Sequence, residues 1–172
     1  MKFLLLLLTA AFFMTAGCNN NAAVTNPTKD STAIAQLLDS FNVAAAQANY
    51  NQYFSYFAED AVFMGTDATE HWDKKSFMQW AKPFFDRGRA WNFTAIQRHI
   101  YFNTPGDIAW FDELLNTQMK ICRGSGVLSK QNGQWKIQQY TLSATIPNSI
   151  IDSVTHLKAV EEDSIINRLR KP

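Results

Sequence analysis

Asp112 and Glu113 stand side by side in AWFDELL (109–115), an acidic pair in otherwise apolar sequence. Successive side chains of a strand point to opposite faces, so one of these carboxylates faces a core or cleft and the other faces away. A carboxylate held in an apolar cleft has its pKa raised by burial and lowered by a nearby guanidinium. That makes either residue a candidate general base, with Arg98 and Arg123 as candidate neighbours. The same residue types equally make an ion pair that satisfies polar groups inside a fold and ties strands together. On sequence alone both readings stay open.

The alternation of the surrounding segments sorts further candidates. Trp110, Asp112 and Leu114 share a face, as do Arg123, Ser125 and Val127. Ile96, Arg98 and Ile100 oppose Gln97, His99 and Tyr101. Strict alternation along the last such segment groups Trp135, Ile137, Gln139, Thr141 and Ser143. The residues expected to line a pocket are Trp72, Trp91, Arg98, Trp110, Asp112, Arg123, Gln139 and Tyr140.

Other constellations are weaker. In GTDATEHW (65–72), Asp67 or Thr66 is placed to cap the next helix. Asp67, Glu70 and Asp73 are spaced for one helical face, but nothing matches a calcium loop. His71, His99 and His156 lack zinc spacing. No metal site and no cofactor is expected. Gly124-Ser125-Gly126 lacks the Lys and the following helix of a phosphate loop and reads as a bulge or a close strand approach. Cys122 reads as a free buried thiol. With 16 Lys and Arg against 15 Asp and Glu, there is no basic field for nucleic acid.

The elements that must position these residues come in a simple order. A helix is expected from about Asp30–Thr32 to Asn49, with Ile34, Leu37, Leu38, Phe41 and Ala45 at helical spacing. A short second helix carries Tyr53, Phe54 and Phe57. AVFMGT is a short strand, and DKKSFMQWAKPFF is a third helix with Phe77, Trp80 and Phe84 on one side. The period then changes to two over 91–102, 108–121, 123–130 and 134–146, with turn chemistry at NTPGD and at Asn132-Gly133. A last helix is expected from Asp152 to about Arg170. Helices followed by an antiparallel sheet of four long strands make an α+β domain.

FAEDAVFMGTDATEHW (57–72), IAWFDELL (108–115), CRGSGVLSK (122–130) and WKIQQYTLSATIPN (135–148), in this element order, resemble the SnoaL-like branch of the nuclear transport factor 2-like superfamily. The resemblance covers residues 31–148. It implies a strongly curved antiparallel sheet wrapped on N-terminal helices as a cone, with a pocket at the open end. A C-terminal helix over 149–172 is extra. The resemblance further implies a small, partly apolar ligand or a partner in the cone, and a homodimer formed through the outer sheet face near Gln138. The superfamily also contains ketosteroid-isomerase-like and dehydratase-like enzymes, for which Asp112 or Glu113 would be the base. Where the superfamily often has His-x-His on its last strand, this chain has Gln139 and Thr141, which removes two titratable groups.

The N-terminus carries a different message. Lys2, the apolar run Phe3–Met14 and the small residues Thr15, Ala16 and Gly17 form a secretory signal layout. The run is shorter than the ~20 residues a spanning helix needs. MTAGCNNN (14–21) resembles a bacterial lipobox. That implies removal of residues 1–17 and acylation of Cys18 by diacylglycerol and a further palmitate-type chain, enough for lasting membrane attachment. Residues 18–30, polar and containing Pro27, read as the tether. Asn19 after the cysteine, in place of Asp, implies an outer-membrane address facing the periplasm.

Overall fold

The computed structural model describes residues 27–170. The signal segment 1–17, Cys18 and the tether as far as Asn26 lie outside the described residues.

Helix α1 (Pro27–Ala46) begins within the expected tether. Proline's fixed φ and missing N–H suit a first turn, and Asp30 supplies the negative charge favoured there. Asp30 is also a buried anchor: its Oδ1 accepts from Lys130 Nζ at 2.8 Å and from Trp135 Nε1 at 3.0 Å. Ile34, Leu38, Phe41 and Ala45 form the buried stripe of α1. Asn49 caps α2 (Tyr50–Ser55) by accepting from the Gln52 N–H. Tyr53 and Phe54 of α2 are buried.

Six strands follow, the short one and the four long ones expected plus the three-residue β2: β1 (Phe57–Met64), β2 (His71–Asp73), β3 (Thr94–Phe102), β4 (Ile108–Thr117), β5 (Lys120–Gln131) and β6 (Gln134–Ala144). They form one sheet in the order β2-β1-β6-β5-β4-β3. Every pairing is antiparallel except β1 with β6, which is parallel. Helix α3 (Lys74–Asp86) lies between β2 and β3 in sequence. Its cap is Asp73, accepting from Ser76 N at 2.7 Å, not Asp67 or Thr66. The Asp67 carboxylate instead accepts from both the N–H and the hydroxyl of Thr69.

The β4–β5 hairpin turns at Gln118-Met119, with Lys120 at φ +70°. No Gly, Asn or Pro marks that turn, and so 108–121 reads as one strand in the sequence. The Thr117 hydroxyl closes it, accepting from Met119 N and donating to Lys120 O. The β5–β6 hairpin uses Asn132 and Gly133, both at positive φ.

Besides an irregularity in β1 between Phe57 and Val62, two bulges reset the alternation in the long strands. One lies in β3 between Ala95 and Gln97. The other lies in β6, where Val127 pairs with Gln139 and Leu128 with Ile137, leaving Gln138 as the extra residue. The core is the space between the helices and the inner sheet face, with Phe111, Leu115, Leu128, Ile137 and Tyr140 of the sheet against Ile34, Leu38, Phe41 and Tyr53. A 3₁₀ turn (Asn148–Ile150) leads into α4 (Ile151–Leu169), which has no buried residue. Among the described residues no helix is long and apolar enough to cross a membrane. The molecule is an α+β cone with a six-stranded curled sheet.

Candidate functional site

On β4 the buried residues are Ala109, Phe111, Glu113, Leu115 and Thr117. Of the acidic pair, Glu113 therefore points into the domain. Its side chain has no exposed surface. Arg98 Nε donates to Glu113 Oε2 at 2.8 Å, with Nη2 2.7 Å from the same oxygen. Arg98 Nη1 donates to Ala35 O at 3.0 Å and lies 2.9 Å from Asp39 Oδ1. Tyr140 donates its hydroxyl to Glu113 Oε1 at 3.1 Å. These contacts join α1, β3, β4 and β6. Burial pushes the Glu113 carboxyl above its ordinary value, and the charge and hydrogen bonds of Arg98 pull it only part of the way back. Burial likewise holds the Tyr140 hydroxyl well above 10, with the Glu113 charge adding to it.

Gly124 is what lets this network close. A Cβ there would sit 2.6 Å from the Tyr140 hydroxyl and 3.0 Å from Glu113 Cγ. At Gly126 a Cβ would come within 2.2 Å of Gln139 O. The two glycines therefore serve strand approach.

Beside this network lies a half-open pocket of about 140 Å³. Its walls are Trp72 on β2, Trp80 on α3, Trp91 and Phe93 after α3, Tyr53, Phe41 and Phe63, with Tyr140 and Leu142 from β6. Gly65, Thr66 and Glu70 from the β1–β2 loop and Gln118 and Met119 from the β4–β5 turn complete it. The lining is largely one aromatic stack. Phe63 lies within 10° of Phe77 and within 2° of Tyr140, and Trp72 packs on Trp80 at a centroid distance of 4.7 Å. Burial holds the Tyr53 hydroxyl well above 10, with a hydrogen bond from Trp91 offsetting part of that. The lining has one formally charged side chain, Glu70.

The expected pocket residues thus separate into three groups. Trp72, Trp91 and Tyr140 line the pocket. Arg98 is buried in the ion-pair network and is not part of the wall. Trp110, Asp112, Arg123 and Gln139 lie on the outer sheet face. Trp110 and Asp112 alternate with the buried residues of β4, Arg123 is exposed between buried Cys122 and Gly124, and the β6 bulge turns Gln139 outward while bringing Tyr140 in. Asp112 pairs with His99 Nδ1 at 3.2 Å on that outer face. As a base for a substrate in the cone it is on the wrong side of the sheet.

Trp80, Tyr53, Phe63, Phe93, Glu70 and Met119 are pocket residues the sequence reading left out. Trp80 carried a usable signal: it follows Phe77 by three residues on the apolar side of α3. Met119 carried none, because its turn was hidden. Among the described residues no three His, Cys, Asp or Glu side chains converge as metal ligands.

Residues 34–147 match the family model of the SnoaL-like domain, well over half of the chain. None of the curated proteins matches. Among solved structures, an NTF2-like protein of unknown function from Pseudomonas putida KT2440 is 17% identical with a TM-score of 0.61, covering 70% of this chain and 90% of that one. A domain of unknown function with a cystatin-like fold from Nostoc punctiforme is 16% identical with a TM-score of 0.62, over 84% and 96% of the two chains. A candidate dehydratase of the NTF2-like family from Streptomyces avermitilis is 13% identical with a TM-score of 0.60, over 71% and 100%. At these identities the likeness to each structure is one of fold. The curled sheet on its helices, the aromatic pocket in the cone and the family match together make this chain a member of the SnoaL-like domain family.

Proposed function

We propose that this protein is a membrane-anchored binding protein that takes a small, partly apolar ligand into its cone without catalysing a reaction. The observation that carries the reading is the pocket itself: about 140 Å³, walled mainly by aromatic side chains, with a single charged lining residue. A cavity of comparable size engineered into another protein accepts a benzene ring. The portion of ligand buried here is therefore about one ring or one compact branched group. A fused four-ring ketone would not enter whole.

General-base chemistry has little to work with. Glu113 has no exposed side-chain surface and its oxygens are engaged by Arg98 and Tyr140. Asp112 faces away from the cone. Membrane attachment through acylated Cys18, with an outer-membrane address, and a homodimer through the outer sheet face complete the proposal; their support is the lipobox-like MTAGCNNN and the apolar side chains exposed on that face.

Calorimetric titration with ring-sized probes (phenol, cyclohexanone, toluene) tests the binding reading. Saturable binding of at least one probe by the wild type, lost when Leu142→Trp fills the pocket, is expected. No binding of these or of a charged probe of the same size, or unchanged binding in Leu142→Trp, would end it. For the anchor, Cys18→Ser is expected to abolish incorporation of labelled palmitate and to release the protein from the membrane fraction.

A further inference from the structure

We propose that the group this pocket takes is a compact, permanently charged ammonium, as in choline and other fully N-methylated amines. The inference rests on the pocket being a ligand site and adds the chemistry of the ligand.

Three of the chain's five tryptophans, Trp72, Trp80 and Trp91, lie in its wall. Indole is the aromatic group that attracts a cation most strongly. No Lys, Arg or His lines the pocket, so nothing there neutralises an anionic ligand. The charge present is the Glu70 carboxylate. It folds back over Gly65, where a Cβ would lie 2.0 Å from Glu70 Oε2. Its hydrogen-bond donor is the Asp67 N–H at 3.2 Å, and among the described residues no cationic side chain pairs with it. Many carboxylates of the fold are paired with a Lys or Arg cation, including Asp30, Asp39, Glu59, Asp86, Glu113 and Glu162. Glu70 is left with its charge at an aromatic mouth.

A neutral occupant would cover that carboxylate without compensating it, at a desolvation cost. A primary ammonium would compensate it but would surrender a strong hydration shell to a wall with few acceptors. The Tyr140 hydroxyl already donates to Glu113. A quaternary ammonium is weakly hydrated, needs no hydrogen-bond acceptor and is satisfied by π faces plus one carboxylate. Its trimethylated head is of the same bulk as the ring that such a volume accepts.

The source of such a group is either a free small molecule or a lipid headgroup, and the test separates them. The full chain, labelled at its indole nitrogens and held in maltoside micelles, is titrated with choline, with its neutral isostere 3,3-dimethylbutan-1-ol, and with dihexanoylphosphatidylcholine below its micelle concentration. Choline, the lipid or both are expected to shift the Trp72, Trp80 and Trp91 resonances, and to bind roughly tenfold or more tighter than the neutral isostere. Binding by choline points to a free molecule; binding by the lipid alone points to a headgroup. Glu70→Gln is expected to reduce that preference several-fold while binding of the isostere is unchanged. If the isostere binds as tightly as choline and the lipid, the pocket is a ligand site without selectivity for the ammonium group and this inference fails while the binding reading stands. If none of the three binds, this inference fails and the phenol, cyclohexanone and toluene titration alone decides the binding reading.

Discussion

The Tyr140 hydroxyl meets Glu113 Oε1 at 3.1 Å only because residue 124 has no side chain. Adding a methyl at Gly124 places it 2.6 Å from the hydroxyl. Gly124→Ala is therefore expected to cost about 1–3 kcal/mol, the usual range for overpacking a core, read by urea denaturation. Tyr140→Phe removes both the hydrogen bond and the oxygen that the new methyl strikes. In that background Gly124→Ala is expected to cost at least ~0.5 kcal/mol less than in the wild type. Additive costs would mean that Gly124 serves something other than this contact.

Glu113 makes an opposite kind of statement about pH. Its carboxyl is held above the ordinary Glu value, first by burial and in spite of Arg98. The folded chain therefore takes up this proton more readily than the unfolded chain. The stability that follows is complete below the ordinary Glu value and is lost as the pH rises through the raised one. Glu113→Gln does not titrate, so the wild type's advantage over it is expected to be larger near pH 4.5 than at pH 8. Glu113→Ala leaves Arg98 with Asp39 as its one remaining ion-pair partner. It is expected to cost about 3–5 kcal/mol, as removal of one partner of a buried pair does. Chemical denaturation across that pH range checks both. An advantage that grows with pH would contradict the assignment.

Asp30 runs the other way. Burial alone would raise its carboxyl, but the hydrogen bonds from Lys130 and Trp135, with the Lys130 charge, outweigh burial and hold it below the ordinary Asp value. Its contribution is complete above that ordinary value and is lost as the pH falls through the lowered one. Asp30→Ala also strands the indole N–H of Trp135, itself 6% exposed. A loss of about 1.5–3 kcal/mol is expected at neutral pH, shrinking in acid. A residue of a flexible tether would instead show no change at any pH.

Asp30 shows where the sequence was legible and where it was not. Helical spacing of Ile34, Leu38, Phe41 and Ala45 identified the buried side of α1, because burial against one surface imposes a period that composition displays. The start of α1 did not show, since residues 27–30 are polar and the partners that bury Asp30 lie 100 and 105 residues away. Alternation sorted β4 and β5 into two correct sets. It could not say which set faced inward, because Trp110 and Leu114 outside are as apolar as Phe111 and Leu115 inside. On β6 alternation failed outright at Gln138, since an extra residue inserted by a bulge leaves no compositional mark. The aromatic wall was half visible for a related reason: Trp80 and Phe63 look like ordinary core residues until the sheet curls around them.

The outer face of the sheet supplies the last prediction. Tyr101 and Trp110 are opposite each other on β3 and β4, with ring centroids 6.0 Å apart and planes within 18°. Each is 45% exposed, and Val127 extends their row on β5. Two large aromatic rings stacked in water leave an apolar surface that a second copy would cover. Trp110→Lys places a charge in the centre of that row without touching the core. In the wild type, light scattering at micromolar concentration is expected to give a dimer mass, and in Trp110→Lys a monomer mass. Unfolding free energy extrapolated for the folded monomer is expected to move by no more than ~0.5 kcal/mol, as for other surface substitutions. A monomeric wild type, or a variant that remains dimeric, would remove this face from the assembly.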